Sequence, residues 1–162
     1  MSCPDAQALA QAFRLTHQII KLQTNGLSHA DSVLQPPFRG NCLNWVVGHI
    51  IEGRDSALNL MGEAPLLDHE RADFYRTGSE PITSAEQAVP LEDLLQVLEL
   101  SQQQIEATLE RTTPDQRGRS VQFRGSERSL EQAIAGLHWH ETYHTGQLEL
   151  LRQLAGKNDA II

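Results

Sequence analysis

Apolar residues recur every three or four positions in four long stretches of this sequence, as they do on the buried side of an amphipathic helix. The stretches cover residues 4–24, 41–61, 91–111 and 130–155. Elsewhere the pattern has no sustained period, and only residues 121–124 alternate in the manner of a short extended piece or hairpin. Four long helices without an extensive sheet predict an all-α fold, a four-helix bundle.

Cap and breaker residues mark the ends of the predicted helices. In the first helix, Ser2 is the expected cap, Pro4 suits the first turn, and Asn25-Gly26 stops the helix. The other signals are Asn41 and Gly62 around the second helix, Pro90 before the third, and Ser129 with Gln132 as a capping box for the fourth. Residues 62–89, rich in Pro, Gly, Asp and Ser, predict a long surface loop with one short helix.

Length and charge narrow the class of protein. A chain of 162 residues is expected to form a single domain over 1–162, with a core large enough to be stable without disulfides or structural metal ions. The formal charge of −8 and the lack of a basic stripe disfavour a nucleic-acid partner. No apolar run approaches the roughly 18 residues of a membrane span, and no signal peptide is evident. Cys3 and Cys42 do not form a disulfide framework, so we expect a cytoplasmic protein with no membrane contact.

Two histidines of the fourth helix have the spacing of metal ligands. His140 and His144 are four residues apart, so their rings lie on one side of the helix about one turn apart. A catalytic zinc-type site uses three protein ligands and leaves one position open. His49 lies in the middle of the apolar second helix, where a bare imidazole needs a partner. Because bundle metal sites use facing helices, His49 is the natural third ligand.

Such a centre can ionise a bound thiol or lower the pKa of a bound water toward about 7. Gln147 shares the side of the helix that carries His144 and can orient a substrate or a water. Glu141 and Tyr143 lie about 100° away on either side, as candidates for a supporting role. We take Gln147 and Glu141 as the candidate catalytic residues, and Trp45, one turn before His49, as a candidate pocket wall.

Other interpretations use the same residues. The segment 140–144 fits H-E-x-x-H, in which Glu141 would be the general base of a metallopeptidase, but no upstream sheet or downstream ligand supports that fold. Glu52, one turn after His49, suggests a dinuclear carboxylate site as an alternative. Such sites use the order Glu-x-x-His on a helix, whereas here the histidine precedes the glutamate. The remaining histidines have structural or unassigned roles in this interpretation: His17, His29, His69 and His138.

Residues 44–50, NWVVGHI, followed by His140, Tyr143, His144, Gly146 and Gln147, resemble the DinB/YfiT-like superfamily of metal-dependent enzymes. The resemblance implies a four-helix bundle of up-down-down-up or related topology, with a long loop between helices two and three. It implies that the matching histidines bind a divalent metal, zinc or nickel first and iron or manganese as alternatives. Members include thiol S-transferases and an isomerase that use low-molecular-weight thiols, and they are often homodimers.

The hypothesis from the sequence is therefore a metal-dependent enzyme, a transferase or hydrolase. The metal on His49, His140 and His144 would activate a thiol or water for transfer to, or hydrolysis of, a small electrophile. The rival from another class is a non-catalytic bundle that binds a metal, a small ligand or a partner protein. The sequence leaves the substrate and the reaction open.

Overall fold

The computed structural model describes residues 5–159 and residue 161, and four long helices supply most of the core. In chain order the elements are α1 (Ala6–Thr24), α2 (His29–Ser32), α3 (Leu43–Leu60), α4 (His69–Ala72), a 3-10 turn η1 (Asp73–Tyr75), α5 (Leu91–Arg111), α6 (Pro114–Gly118), β1 (Ser120–Phe123), β2 (Ser126–Ser129) and α7 (Leu130–Leu154). The long helices α1, α3, α5 and α7 correspond to the four predicted ones, so the four-helix bundle is confirmed.

Contacts between the long helices give their directions. Thr16 is hydrogen-bonded to Glu141, and Gln23 further along α1 is hydrogen-bonded to Arg152 further along α7. The helices α1 and α7 therefore run parallel. Asn44 of α3 is hydrogen-bonded to Val89, just before α5, and Arg54 is hydrogen-bonded to Ser101 within it, so α3 and α5 also run parallel. Those between α1 and α5 run in opposite senses, from Arg14 with Glu106 to Lys21 with Glu99. The topology is therefore up-down-down-up, as the family resemblance implied.

The boundaries of α5 and α7 match the sequence signals. Pro90 immediately precedes α5, as expected. Ser129 accepts a hydrogen bond from the Gln132 backbone N–H, and the Gln132 side chain accepts from the Ser129 backbone N–H. This capping box satisfies two backbone donors at the start of the helix that carries His140 and His144.

The starts of α1 and α3 differ from the prediction. Asp5 caps α1 by accepting from the Ala8 backbone N–H, so the helix begins two residues later than proposed. Ser2 and Pro4 lie outside the described residues. The helix α3 begins after Cys42, not after Asn41, and no side chain caps it. The prediction of Asn41 as a cap was therefore wrong, because tertiary packing of this apolar helix outweighs the small gain from a cap.

The segment between α3 and α5 is more than a surface loop. It contains α4 and η1, and the side chains of Leu67, Tyr75 and Ile82 are buried in the core. Asp55 of α3 accepts from the backbone N–H groups of Leu66 and Leu67 and so fixes the start of the segment. Single apolar anchors separated by irregular backbone have no period, so the sequence pattern could not reveal them.

A two-stranded antiparallel hairpin precedes α7, which confirms the expectation for residues 121–124. Its turn is Arg124-Gly125, and both residues have positive φ, 49° and 76°. Two-residue hairpin turns need this backbone because it matches the twist of the strands. Phe123 lies against Gly136 of α7, where an added Cβ would come within 3.2 Å of the ring. The hairpin is thereby held against the same helix that carries the paired histidines.

No helix in the described part of the chain has both the length and the apolar character needed to cross a bilayer.

Candidate metal centre

Three histidine side chains from two helices converge in the bundle. His140 Nε2 lies 3.1 Å from His144 Nε2 and 3.3 Å from His49 Nε2, and one ligand atom of each residue lies within 4.8 Å of the others. Two ligands of a tetrahedral zinc-type ion, each at roughly 2.0–2.1 Å, are about 3.4 Å apart. The antiparallel packing of α3 on α7 therefore brings His49 to the helical pair at distances that suit one cation.

Hydrogen bonds fix the rings of His49 and His144. His49 Nδ1 donates to the Tyr75 carbonyl oxygen at 2.7 Å, and His144 Nδ1 pairs with Gln147 Oε1 at 2.7 Å. A ring that donates through Nδ1 leaves Nε2 with its lone pair, which is the form that binds a metal. Both Nε2 atoms point to His140, so the donor set fits a divalent cation.

Burial keeps these imidazoles neutral. It lowers the pKa of His49 and of His144 below the ordinary histidine value. For His140, burial together with the neighbouring His144 and His49 lowers the pKa to about 4. At pH 7 a proton therefore competes poorly with a metal ion for the three nitrogens.

Tyr75, which the sequence pattern did not indicate, is the side chain that positions the backbone around His49. Its hydroxyl donates to Asn44 Oδ1 at 2.9 Å and accepts from the Val89 backbone N–H at 3.0 Å. Its ring fills the space beside Gly48, where an added Cβ would lie 2.2 Å from a ring carbon. Glycine is therefore required immediately before His49, and that glycine inside an apolar helix was the one available signal.

Trp45 forms one wall of the site, as proposed. Its indole stacks on the His49 ring with centroids 4.5 Å apart and planes inclined by 22°. The indole N–H donates to the Ser79 hydroxyl at 3.0 Å, so the stack is held from the segment after α3. The His49 ring is thus restrained on its face by Trp45 and at its edge by the Tyr75 carbonyl.

Two cavities meet at the histidines. The larger is about 490 Å³ and the smaller about 330 Å³, and both are lined by His49, Thr77 and His140. The walls of the larger cavity are mainly aromatic and apolar and include Phe38, Trp45, Trp139, Tyr143, Leu150 and Leu151. Those of the smaller cavity are about half polar and include the polar side chains of Glu52, Ser56, Asn59, Gln122 and Arg124. A ligand bound at the histidines can therefore extend in two chemically different directions.

The structure places Gln147 at the site and Glu141 elsewhere. Gln147 lines the larger cavity beside His144. Glu141 points into the bundle core, where Arg54 Nη2 and Nε donate to its two oxygens at 2.7 and 2.8 Å. Thr16 also donates to Glu141, and the ion-paired side chains are 0% and 2% exposed. This carboxylate is a structural counter-ion of Arg54 and lines neither cavity, which removes the support for a peptidase base at this position.

Glu52 lies beside the histidines without joining them. Its carboxylate lines the smaller cavity and forms no ion pair with any residue that the structure describes. Burial raises its pKa above the ordinary glutamate value. Among the residues that the structure describes, the ligand atoms that converge come from the three histidines alone. This group suits one metal ion and not a dinuclear carboxylate site.

Other histidines have contacts of a structural kind. His138 lies edge-on to Phe13 with ring centroids 4.9 Å apart, on the side of α7 away from the metal ligands. His17 bonds Glu99 at 3.1 Å between α1 and α5. His29 accepts from the Leu91 backbone N–H and bonds the Ala85 carbonyl, which joins α2 to the start of α5. These arrangements agree with the structural roles expected for His17 and His138.

Comparison with known proteins identifies the family and the fold of this chain. A family model described as the DinB superfamily matches residues 5–148. No curated protein matches the sequence. Among solved structures, a conserved protein from Enterococcus faecalis superposes with a TM-score of 0.73 at 16% sequence identity. The superposition covers 93% of this chain and 97% of that one, and at this identity it establishes a shared fold alone.

Proposed function

Because this chain belongs to the DinB superfamily, we propose that it binds one divalent metal ion through His49, His140 and His144 and uses it to activate a small nucleophile. The observation that carries the proposal is the convergence of three Nε2 atoms at the junction of two cavities. Bound there, a divalent ion would lower the pKa of a thiol or of a water and so supply a nucleophile at neutral pH. Imidazole ligands suit zinc and nickel, and we propose these before iron or manganese.

The chain's own residues bind and orient the reactants in this proposal. Gln147 accepts from His144 through Oε1, which leaves its amide nitrogen to donate to a substrate polar atom in the larger cavity. Phe38, Trp139 and Tyr143 line the same cavity and favour a small electrophile with an apolar or aromatic body. We therefore propose S-transfer to, or hydrolysis of, such an electrophile. Gln147 remains the proposed catalytic residue, and the core contacts of Glu141 favour a role in folding.

Metal analysis tests the first step. We expect the protein purified without chelating resin or chelators to hold close to one divalent ion per chain. His49→Ala should reduce this occupancy severalfold, while His138→Ala, a histidine of the same helix as the other two ligands that does not face the cluster, should leave it unchanged. Equal metal content in the two variants would contradict the triad.

Activity separates the enzyme from a binding protein. We expect the metal-loaded chain to accelerate the conjugation of a chlorodinitrobenzene with a small thiol, and the chelator-treated chain to lose this acceleration. Full metal occupancy with no acceleration of thiol conjugation or of hydrolysis across a panel of small electrophiles would favour the non-catalytic rival. Gln147→Ala should lower the rate while retaining the metal, because Gln147 contacts a ligand residue through one hydrogen bond only.

We also propose that the chain forms a homodimer. Support comes from large apolar side chains exposed on α7, namely Trp139, Tyr143 and Leu150 at 66%, 58% and 61% exposure. Because these side chains also line the larger cavity, the partner chain would lie at the rim of that cavity. Light scattering coupled to size-exclusion chromatography tests this directly, with a mass near that of one 18.1 kDa chain as the contradicting result.

A further inference from the structure

The smaller cavity is a charged extension of the metal centre. It shares His49, Thr77 and His140 with the larger cavity, and its other walls come from α3 and from the hairpin. At about 330 Å³ it is large enough for a molecule of a few heavy atoms, such as a small thiol, next to the histidines. Its walls are about half polar and carry the charged side chains of Glu52 and Arg124, whereas the walls of the larger cavity are mainly aromatic and apolar, so the two cavities suit different reactants.

Arg124 brings a positive charge to this cavity. Its guanidinium forms no ion pair and no hydrogen bond with any residue in the described part of the chain. Glu52 lines the same cavity, where burial raises its pKa and the charge of Arg124 acts in the opposite direction. No carboxylate in the described part of the chain lies within ion-pair distance of the guanidinium, which leaves its N–H groups free to donate to an anionic group of a ligand.

The backbone conformation of Arg124 is one that arginine seldom adopts. It has φ of 49°, in the left-handed region that glycine and asparagine occupy most readily in such hairpin turns. The guanidinium carbon lies 5.3 Å from the centre of the Phe123 ring, which packs on α7. A long cationic side chain thus occupies a turn position that a small residue would fit better, and its guanidinium packs beside the Phe123 ring.

We infer that Arg124 binds the carboxylate of the nucleophilic co-substrate, so that a small carboxylate-bearing thiol occupies the smaller cavity while the electrophile occupies the larger one. This inference rests on the proposed function. The planar guanidinium can hold a carboxylate through two parallel hydrogen bonds, and the amides of Gln122 and Asn59 offer further donors. Glu52 lies in the same cavity and disfavours a doubly charged anion such as a phosphate monoester.

Nuclear magnetic resonance of the zinc-loaded, ¹⁵N-labelled chain tests the inference without measuring activity. The probes are 3-mercaptopropionate, 2-mercaptoethanol, which has a hydroxyl where the first has a carboxylate, and propionate, which lacks the sulfur. We expect 3-mercaptopropionate to bind at least tenfold more tightly than 2-mercaptoethanol. All carboxylate probes should shift the Arg124 side-chain signal and the amides of Gln122 and Gly125.

Matched variants isolate the guanidinium. Arg124→Gln should reduce the preference for the carboxylate thiol to less than twofold and leave 2-mercaptoethanol binding unchanged. Arg128→Gln removes the same charge from the same hairpin at an exposed position that does not line the cavity, and should leave the preference intact. Arg124→Asn keeps a residue that tolerates the turn, so its loss of preference cannot be attributed to misfolding.

Two results would overturn the inference: a carboxylate preference that survives Arg124→Gln, or the absence of any preference in the unsubstituted chain. Failure of the proposed function looks different, because none of the thiols would then shift the signals of the three histidine rings. Propionate still tests the anion site in that case. Propionate shifts at Arg124 that Arg124→Gln abolishes would support the site, and no shift would refute it.

Discussion

Replacement of Glu141 by glutamine separates the structural role of this carboxylate from a role at the metal centre. Glu141 is the buried counter-ion of Arg54, whose guanidinium also donates to Ser101 Oγ and to the Leu98 carbonyl. Glutamine keeps the shape of the side chain but removes the negative charge. It also turns an amide donor toward a guanidinium that has only donors.

The magnitude follows from burial. Removal of one partner of a buried ion pair costs about 3–5 kcal/mol, because the other charge is left uncompensated. Glutamine retains one acceptor oxygen, so we expect the lower end, about 3 kcal/mol in the free energy of unfolding. For a chain of this length that corresponds to a decrease of roughly 6–12 °C in the melting temperature. Metal occupancy of the folded protein should stay unchanged, because Glu141 contacts none of the three histidines through a hydrogen bond.

The assay combines urea denaturation of the chelator-treated protein with metal analysis of the native protein. Glu149→Gln, an exposed carboxylate on the same helix, is the matched control and should change the free energy of unfolding by less than about 0.5 kcal/mol. The double variant Arg54→Met with Glu141→Leu should recover most of the loss, because it removes both buried charges. A Glu141→Gln protein of full stability that no longer binds metal would refute this reasoning.

Three further outcomes follow from the same contacts. Gly48→Ala should destabilise the protein by about 1–3 kcal/mol and weaken metal binding, because the new Cβ displaces Tyr75 and the carbonyl that holds His49; unchanged melting and metal titrations would contradict this. Burial raises the pKa of Tyr75 to about 12, so in Tyr143→Phe, where it is the sole tyrosine, tyrosinate absorbance should appear near pH 12. The stability that this raised pKa contributes to the folded protein is fully present below about pH 10 and is lost as the pH rises through about 12. Denaturation at several alkaline pH values measures this loss. Chelation should lower the stability of the metal-loaded chain by about 2.7 kcal/mol relative to free metal at 100 times its Kd, and His49→Ala should abolish that difference.

The long helices were predictable because each carries a local periodic signal. The third and fourth predicted helices agree with α5 and α7, where Pro90 and the Ser129 capping box mark the starts. The start of α3 was misplaced because most residues of this helix are buried, so burial and not a cap defines it. The segment after α3 is the long connection with a short helix that was predicted, but its buried side chains were missed because they have no regular spacing.

The site was partly predictable for the same reason. The four-residue spacing of His140 and His144 is a property of one helix, and His49 stood out as a polar residue in an apolar helix. Tyr75 gave no such signal, since its importance depends on the space beside Gly48 and on two bonds to distant residues. The pairing of Glu141 with Arg54 joins residues 87 apart in the chain, so neither residue indicates its partner.

The sequence by itself determined the number and approximate extent of the long helices, the pair of imidazoles on α7, and the family. These depend on spacing along one helix, where the backbone geometry fixes which side chains lie together. The tertiary structure decided that His49 meets that pair, that Glu141 turns into the core, and that the hairpin brings Arg124 to a second cavity. Those outcomes depend on how α3 and the hairpin pack on α7, which is set by side-chain volume and burial summed over many distant residues.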